Sequence, residues 1–298
     1  MIPTNMNRFT TIFISILLLM LVACAAGCKK NSNNTNDDGV SIPEGAVSGV
    51  YSVSATDKVC FSQGNLQYQA STNTWRFAEK QYFIIGESNC NISSTYSGWI
   101  DLFGWGTSGY KDKYPYLTST SCIDYGNGDH DIVCTKYDWG VYNPISNGGN
   151  QVGLWRTMTR AEWTFLFHRR NTASGIRYAK AQVNGVKGII LVPDDWDITS
   201  FSLSNPNNGD ASFTSNVVDE MEWQDVFDVA GAVFLPVAGG RTETNVHNDV
   251  DPFGFYWSTT YFGSYGAYGL RFNDRYLDTY ESTGRCNGYS VRLVCPAN

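Results

Sequence analysis

The sequence predicts an α+β domain in which two helices lie around a mostly antiparallel sheet with long irregular loops. Three observations carry that prediction. Two stretches, 159–168 and 217–229, place apolar residues at helical spacing. Short β-type runs recur elsewhere, and one pair of them flanks Asn184-Gly185, the strongest short-range hairpin signal. Between them, "TYSGWIDLFGWGTSGYKDKYPY" is too irregular for a helix and too apolar for a solvated loop, so it predicts a long, packed, loop-like excursion.

The chain begins with an address rather than with fold. Arg8 gives a short positive region, with Met6 as an alternative start, and "FTTIFISILLLMLVA" is continuously apolar yet short for a membrane span. It runs into "LVAC" and "AAGC", two lipobox-like tetrapeptides. Cys24 has the better Leu at −3, and Cys28 the better Gly at −1. The expectation is a lipoprotein signal over 1–27, cleaved before Cys24 or Cys28, with the acylated cysteine anchoring an exported protein to the outer membrane or cell surface. The Asn-, Ser- and Asp-rich stretch over 28–46 then reads as a disordered polar tether, and 47–298 as a single domain.

With 298 residues, 42% of them apolar, the chain is long enough for a good core. Its net charge of −7 and lack of a basic block argue against a nucleic-acid partner. Export permits disulfides. Six cysteines follow the signal: Cys60, Cys90, Cys122, Cys134, Cys286 and Cys295. None forms a CxxC pair, which disfavours zinc; Cys122 and Cys134 are near enough in sequence to close a small loop, and all 15 pairings stay open.

The elements follow in order. "VYSVSATDKVCFSQGNLQYQ" and "TWRFAEKQYFIIG" supply short strands around polar breaks. In "LWRTMTRAEWTFLFHRR", Thr159 and Glu162 have capping-box spacing, Trp163, Leu166 and Phe167 share one helical face, and His168 ends the helix as a surface residue or dipole partner. "IRYAKAQVNGVKGIILVPDDW" is the hairpin. "VVDEMEWQDVFDV" reads as the second helix, with Val217, Met221, Val226 and Val229 on its inner side. "GAVFLPVAGG" is a buried strand, and "GFYWSTT", "AYGLRF" and "YSVRLVC" are the last strands.

Two of these segments carry a resemblance. "LWRTMTRAEW" resembles the "WRLPTxxEW" signature of the formylglycine-generating-enzyme-like branch of the C-type lectin fold, and of the related fibrobacter-type major paralogous domain. Trp155, Arg156, Thr159, Glu162 and Trp163 match, while Thr157-Met158 replaces Leu-Pro. The run "GFYWSTT…AYGLRF…GYSVRLV" resembles that family's end, "GYYWSST…AYxLxF…GxSVRxV", at Gly254, Tyr256, Trp257, Ser258, Ala267, Tyr268, Leu270, Phe272, Gly288, Ser290, Val291 and Arg292. The resemblance spans 47–298 and implies a C-type-lectin-like fold, which hosts many functions. The same pattern resembles the variable proteins of diversity-generating retroelements. In those, rewritten Asn codons scatter to Tyr, Asp, Ser, Cys, Gly, Arg and Phe, the vocabulary found here between Thr260 and Ser290, with Cys286 where Asn often stands. That implies a diversified recognition segment over 256–294.

Physical reading of that segment points the same way. Tyr256, Tyr261, Tyr265, Tyr268, Tyr276, Tyr280 and Tyr289 crowd into it beside Gly, Ser and Asn, the mixture that antibody loops use to grip antigens. Strand alternation puts Tyr268, Leu270, Phe272, Val291 and Leu293 inside, and Gly269, Arg271 and Asn273 outside. The candidate ligand contacts are therefore Tyr261, Phe262, Tyr265, Arg271, Asn273, Asp274, Arg275, Tyr276, Asp278, Tyr280, Asn287 and Tyr289. The expected partner is an external protein or glycan.

A catalytic set is not evident. Formylglycine-generating enzymes use a reactive cysteine pair in a C-terminal groove, but the surroundings of Cys286 and Cys295 do not match that motif. Cys286 has no neighbouring His, although Arg285 beside it is a group that lowers a thiol pKa. No Ser/His/Asp elbow or HExxH appears. "YGNGDHDIV" and "HNDVDPFG" lack EF-hand spacing and read as solvated acidic loops; the "EPN" and "WND" signatures of calcium-dependent sugar binding are absent. No metal or cofactor is expected. Two alternatives stay open: an enzyme of the formylglycine-generating type, and a structural surface protein whose tyrosines only pack.

Overall fold

The computed structural model describes residues 42–197, 201–247 and 252–297. Cys24, Cys28, the signal and nearly all of the tether lie outside the described residues. The folded chain starts before residue 47: Ile42 is buried and Ala46 bridges Ser62. The described residues all fall within one compact unit.

In chain order the strands are β1 (Tyr51–Ser52), β2 (Lys58–Phe61), β3 (Leu66–Gln69), β4 (Thr74–Phe77), β5 (Arg156–Thr157), β6 (Tyr178–Val183), β7 (Val186–Leu191), β8 (Val217–Val218), β9 (Val233–Pro236), β10 (Gly240–Thr242), β11 (Asn245–His247), β12 (Gly254–Phe262), β13 (Gly266–Phe272), β14 (Leu277–Gly284) and β15 (Leu293–Pro296). Among the described residues α-helices are short and few: α1 (Trp139–Tyr142), α2 (Arg160–His168), and α3 (Glu220–Glu222), which continues as a π-helical turn over Trp223–Asp228. The protein is thus mixed α+β and rich in sheet. Strand orders are β1-β2-β15-β5, β8-β6-β7-β9 and β12-β13-β14, with hairpins β3-β4 and β10-β11. All named pairings are antiparallel except β6 with β8.

Local chemistry explains several elements. Asn184 and Gly185 both take positive φ, 47° and 77°, the backbone that a tight hairpin needs between β6 and β7. Thr159 caps α2 reciprocally with Glu162, whose carboxylate also pairs with Arg156 on β5. The excursion after β4 stays irregular yet buries Ile100, Leu102, Phe103 and Trp105. Indoles satisfy backbone groups there: Trp105 Nε1 donates to the Ser258 carbonyl and Trp257 Nε1 to the Phe103 carbonyl, each at 2.7 Å.

Three hydrophobic clusters follow from the layers. Trp163, Leu166 and Phe167 of α2 pack with Tyr256, Leu270, Phe272, Ile189 and Leu235. On the other side of the C-terminal sheet, Phe255, Trp257 and Ala267 join Phe103, Trp105, Trp139, Trp155 and Leu293. Ala179, Ala181, Ile190 and Phe234 face a third cluster with Trp223 and Phe227. Alternate residues of β7 and β9 thus enter different clusters, which is why those strands read as continuous apolar runs.

The second helix turns a different face inward than the sequence suggests. Val217, Met221 and Val229 are 66%, 69% and 71% exposed, while Trp223 and Phe227 are buried. Val226 is only partly buried. Helix α3 starts after Asp219, which caps it with Glu222, and Val217 belongs instead to β8 beside Gln182. The aromatic pair at i, i+4 buries more apolar area than the valines do, so it sets the phase.

Candidate functional site

The C-terminal sheet carries the candidate site. Leu270, Phe272, Val291 and Leu293 are fully buried, as expected, but Tyr268, expected inside, is half-exposed, and Gly269, expected outside, is buried. Two register shifts then break strict alternation. Trp257 pairs with Gly269 but Tyr261 with Ala267; Gly269 pairs with Glu281 but Arg271 with Asp278. Such bulges twist a sheet and re-aim its side chains.

At the β12–β13 tip, Tyr261, Phe262 and Tyr265 are 37%, 51% and 66% exposed, and Tyr280 on β14 is 53% exposed. Phe262 meets Tyr268 edge-on, with centroids 5.0 Å apart. Arg160, the first residue of α2, places its guanidinium 4.3 Å from the Tyr268 ring and 4.9 Å from the Tyr280 ring. No carboxylate pairs with Arg160 among the described residues. The result is a continuous strip, Phe262–Tyr268–Arg160–Tyr280, with a cation held between aromatic faces. Beside it, residues 262–266 and 282–284 line an open groove of about 410 Å³.

The backbone under these side chains is tied down. Arg285 is buried; its Nε donates to Gly266 O at 2.9 Å and its Nη2 to Gly263 O at 2.7 Å, with the guanidinium 4.9 Å from the Trp105 ring. Tyr261 N donates to Asp131 Oδ1 at 2.9 Å, and Ser264 Oγ to Asp129 Oδ2 at 3.3 Å. Exposed aromatics on a fixed backbone lose little entropy on binding.

Other expected contacts go elsewhere. Asn273, Asp274, Arg275 and Tyr276 form the β13–β14 turn at the opposite end of the sheet. Asn273 is buried rather than outward: its Oδ1 accepts from Arg275 N and Tyr276 N, and its carbonyl accepts from Lys180 Nζ. Asp274 Oδ1 accepts from Phe213 N and Ser212 Oγ. Arg275 is exposed and Tyr276 half-buried. Asp278 Oδ1 accepts from Tyr280 N. Arg271 pairs with Glu281 at 2.9 Å and lies over Phe253. Asn287 bonds Thr283 and Thr242. Tyr289 is a packing residue, stacked on Phe255 at 4.2 Å and edge-on to Trp257. The physical reason is that hydrophobic clusters cover both faces of β12 and β13 away from the tip, so outward alternation does not mean exposure there.

Sequence reasoning missed Arg160 and the half-exposed role of Tyr268. The capping box puts Arg160 at the first helical position, off the apolar face, but nothing local says that two tyrosines flank it. Arg285 does not activate Cys286. Its guanidinium is spent on the two carbonyls, and burial, with the Cys122 sulfur beside it, pushes the reduced Cys286 thiol up to about 12. Cys295 is buried in the core. Among the described residues, no group of three or more His, Cys, Asp or Glu is placed to hold an ion, and no helix is long and apolar enough to cross a membrane. Residues 248–251 of "HNDVDPFG" lie outside the described residues.

Comparison with protein-family models, curated proteins and solved structures finds no match for the chain.

Proposed function

We propose that this is an exported, lipid-anchored surface protein whose C-type-lectin-like domain binds an external protein or glycan, with the β12–β13 tip and the Arg160 strip as the contact surface. One observation carries the reading: Tyr261, Phe262 and Tyr265 stand exposed at a tip whose backbone a buried arginine holds, and beside it exposed Tyr280 and half-exposed Tyr268 flank a guanidinium without a carboxylate partner. Exposed aromatics gathered into one strip, unlike ones scattered singly, mark a surface that something covers. Tyr and Arg are the residues that dominate binding energy when buried in an interface. The two lipobox-like tetrapeptides support the anchor, and the WRTMTRAEW and YSVRLV segments together with the mixed α+β architecture support the fold.

Within this reading, residues 256–294 are the segment that a retroelement would rewrite. A near-copy of its coding DNA, differing at adenines beside a reverse transcriptase gene, is the expected genomic signature. Binding is tested by displaying the domain against whole cells and a glycan array, comparing wild type with Arg160→Ala, Phe262→Ala and Tyr265→Ala. At least one variant should lose about 2 kcal/mol of binding, near thirtyfold in affinity. If all three bind as wild type while still folded, this surface is not the contact.

A further inference from the structure

Cys122 and Cys286 are 164 positions apart, yet their Sγ atoms meet at 2.7 Å. That is inside the contact distance of two unbonded sulfurs. Both cysteines sit on anchored backbone. Cys122 opens a short 3₁₀ turn whose Tyr125 N bonds back to its carbonyl, and the Tyr125 hydroxyl donates to the carbonyls of Leu117 and Ser119. Cys286 follows Arg285, whose N bonds Tyr265 O and whose carbonyl accepts from Trp105 N. Gly284 leaves the space open: a Cβ there would stand 3.1 Å from the Cys122 sulfur and 3.5 Å from the Cys286 sulfur. The small loop from Cys122 to Cys134 that sequence spacing allows is not the contact the fold makes.

We infer that Cys122 and Cys286 form a disulfide that ties loop 117–125 to the strand end under the hairpin tip, next to the groove wall at Gly284. The other described cysteines have different settings. Cys90 and Cys134 are exposed, and Cys60 faces Cys295 across β2 and β15, where the Cys295 thiol is directed at the Cys60 carbonyl at 3.7 Å. The chemistry is thiol–disulfide exchange with an external disulfide, such as oxidised glutathione or the disulfide of an oxidoreductase. One protein thiolate attacks a sulfur of that oxidant and expels a thiolate. The second protein thiolate then attacks the mixed disulfide and expels the other half. Two protons and two electrons leave the protein, and the oxidant departs as two thiols. The inference holds whatever the hairpin binds; it requires only an oxidising setting.

The test uses the folded protein equilibrated with oxidised and reduced glutathione, alkylated, digested without reductant and mapped by mass. The expected result is one cross-linked peptide pair, containing Cys122 and Cys286, two hydrogens lighter than its reduced parts. A bond closing so long a loop should also raise the melting temperature by roughly 10 °C over the reduced protein. In Cys122→Ser/Cys286→Ser that difference should vanish. Alkylated Cys122 and Cys286 in the oxidised protein, or a link from Cys122 to Cys134, would overturn the inference. So would an oxidised-minus-reduced gap that survives in the double variant. Peptide mapping of the wild type decides the matter even if the variant fails to fold.

Discussion

Asp138 is fully buried and holds two elements together. Its carboxylate accepts from Gly140 N at the start of α1, and from Thr157 N and Thr157 Oγ1 on β5. Burial nonetheless dominates over these bonds and over the nearby Arg156, and raises the carboxyl from 3.8 to about 6. Because the folded-state value lies above the unfolded one, the native state holds the proton more tightly. The associated stability is fully present below about pH 4 and is lost as pH rises through 6. A change from 3.8 to about 6 corresponds to about 3 kcal/mol. Asp138→Asn removes the titration. Its oxygen, placed at Oδ1, keeps all three donors, while Thr157 N loses the 2.9 Å contact to Oδ2. Because an amide NH2, unlike a carboxyl OH, has no lone pair to offer Thr157 N, the exchange should cost about 1–3 kcal/mol even at pH 4, where the wild-type carboxyl is protonated. Relative to wild type, the variant should therefore be less stable at pH 4 and gain about 3 kcal/mol between pH 4 and pH 7.5, approaching or passing wild type. Urea melts at the two pH values measure this. A gap that stays constant or widens with rising pH would show that the Thr157 and Gly140 bonds, not burial, set the carboxyl's acidity, and the reasoning fails.

Three further outcomes are expected. Leu270→Ala and Phe272→Ala should each cost about 2–5 kcal/mol in thermal or urea melts, because both side chains are fully buried, whereas Tyr265→Ala should stay within about 0.5 kcal/mol; unfolding of the tip variant would make the exposed tyrosines packing residues. Lys180 is buried with its ammonium on the carbonyls of Gly209, Asn273 and Tyr276, and burial lowers it to about 8. Lys180→Ala strips those carbonyls of their donor and should speed hydrogen exchange across 273–276 by at least tenfold, leaving β12 protected; unchanged exchange there would show that the ammonium does not hold the turn. Mass spectrometry of the mature protein should find lipid on Cys24 or Cys28, and an unmodified N-terminus would overturn the anchor.

Much of the fold was written in short-range pattern. The capping box of Thr159 and Glu162 and the face of Trp163, Leu166 and Phe167 lie within one helix, so chain geometry alone relates them. Asn184-Gly185 needs only its own backbone to turn β6 into β7. Leu270 and Phe272 alternate on β13 and are buried as alternation predicts, while around Val291 and Leu293 every residue from Ser290 to Cys295 is buried.

What tertiary structure decided has a common cause: which distant segment covers a given face. Periodicity put Val217, Met221, Val226 and Val229 on the inner side of the second helix, but the third cluster took Trp223 and Phe227 instead. Asn273 and Tyr289 alternate outward, yet one closes a turn held by Lys180 and the other is roofed against Phe255. The cation strip needs Arg160 to meet Tyr268 and Tyr280 from more than a hundred positions away, and Cys122 finds Cys286 across 164. Local pattern records the spacing of residues along one element, and it names the residue types fit for gripping a ligand. The partners that bury one tyrosine and leave its neighbour bare come from chain closure over long separations, which the one-dimensional order does not encode residue by residue.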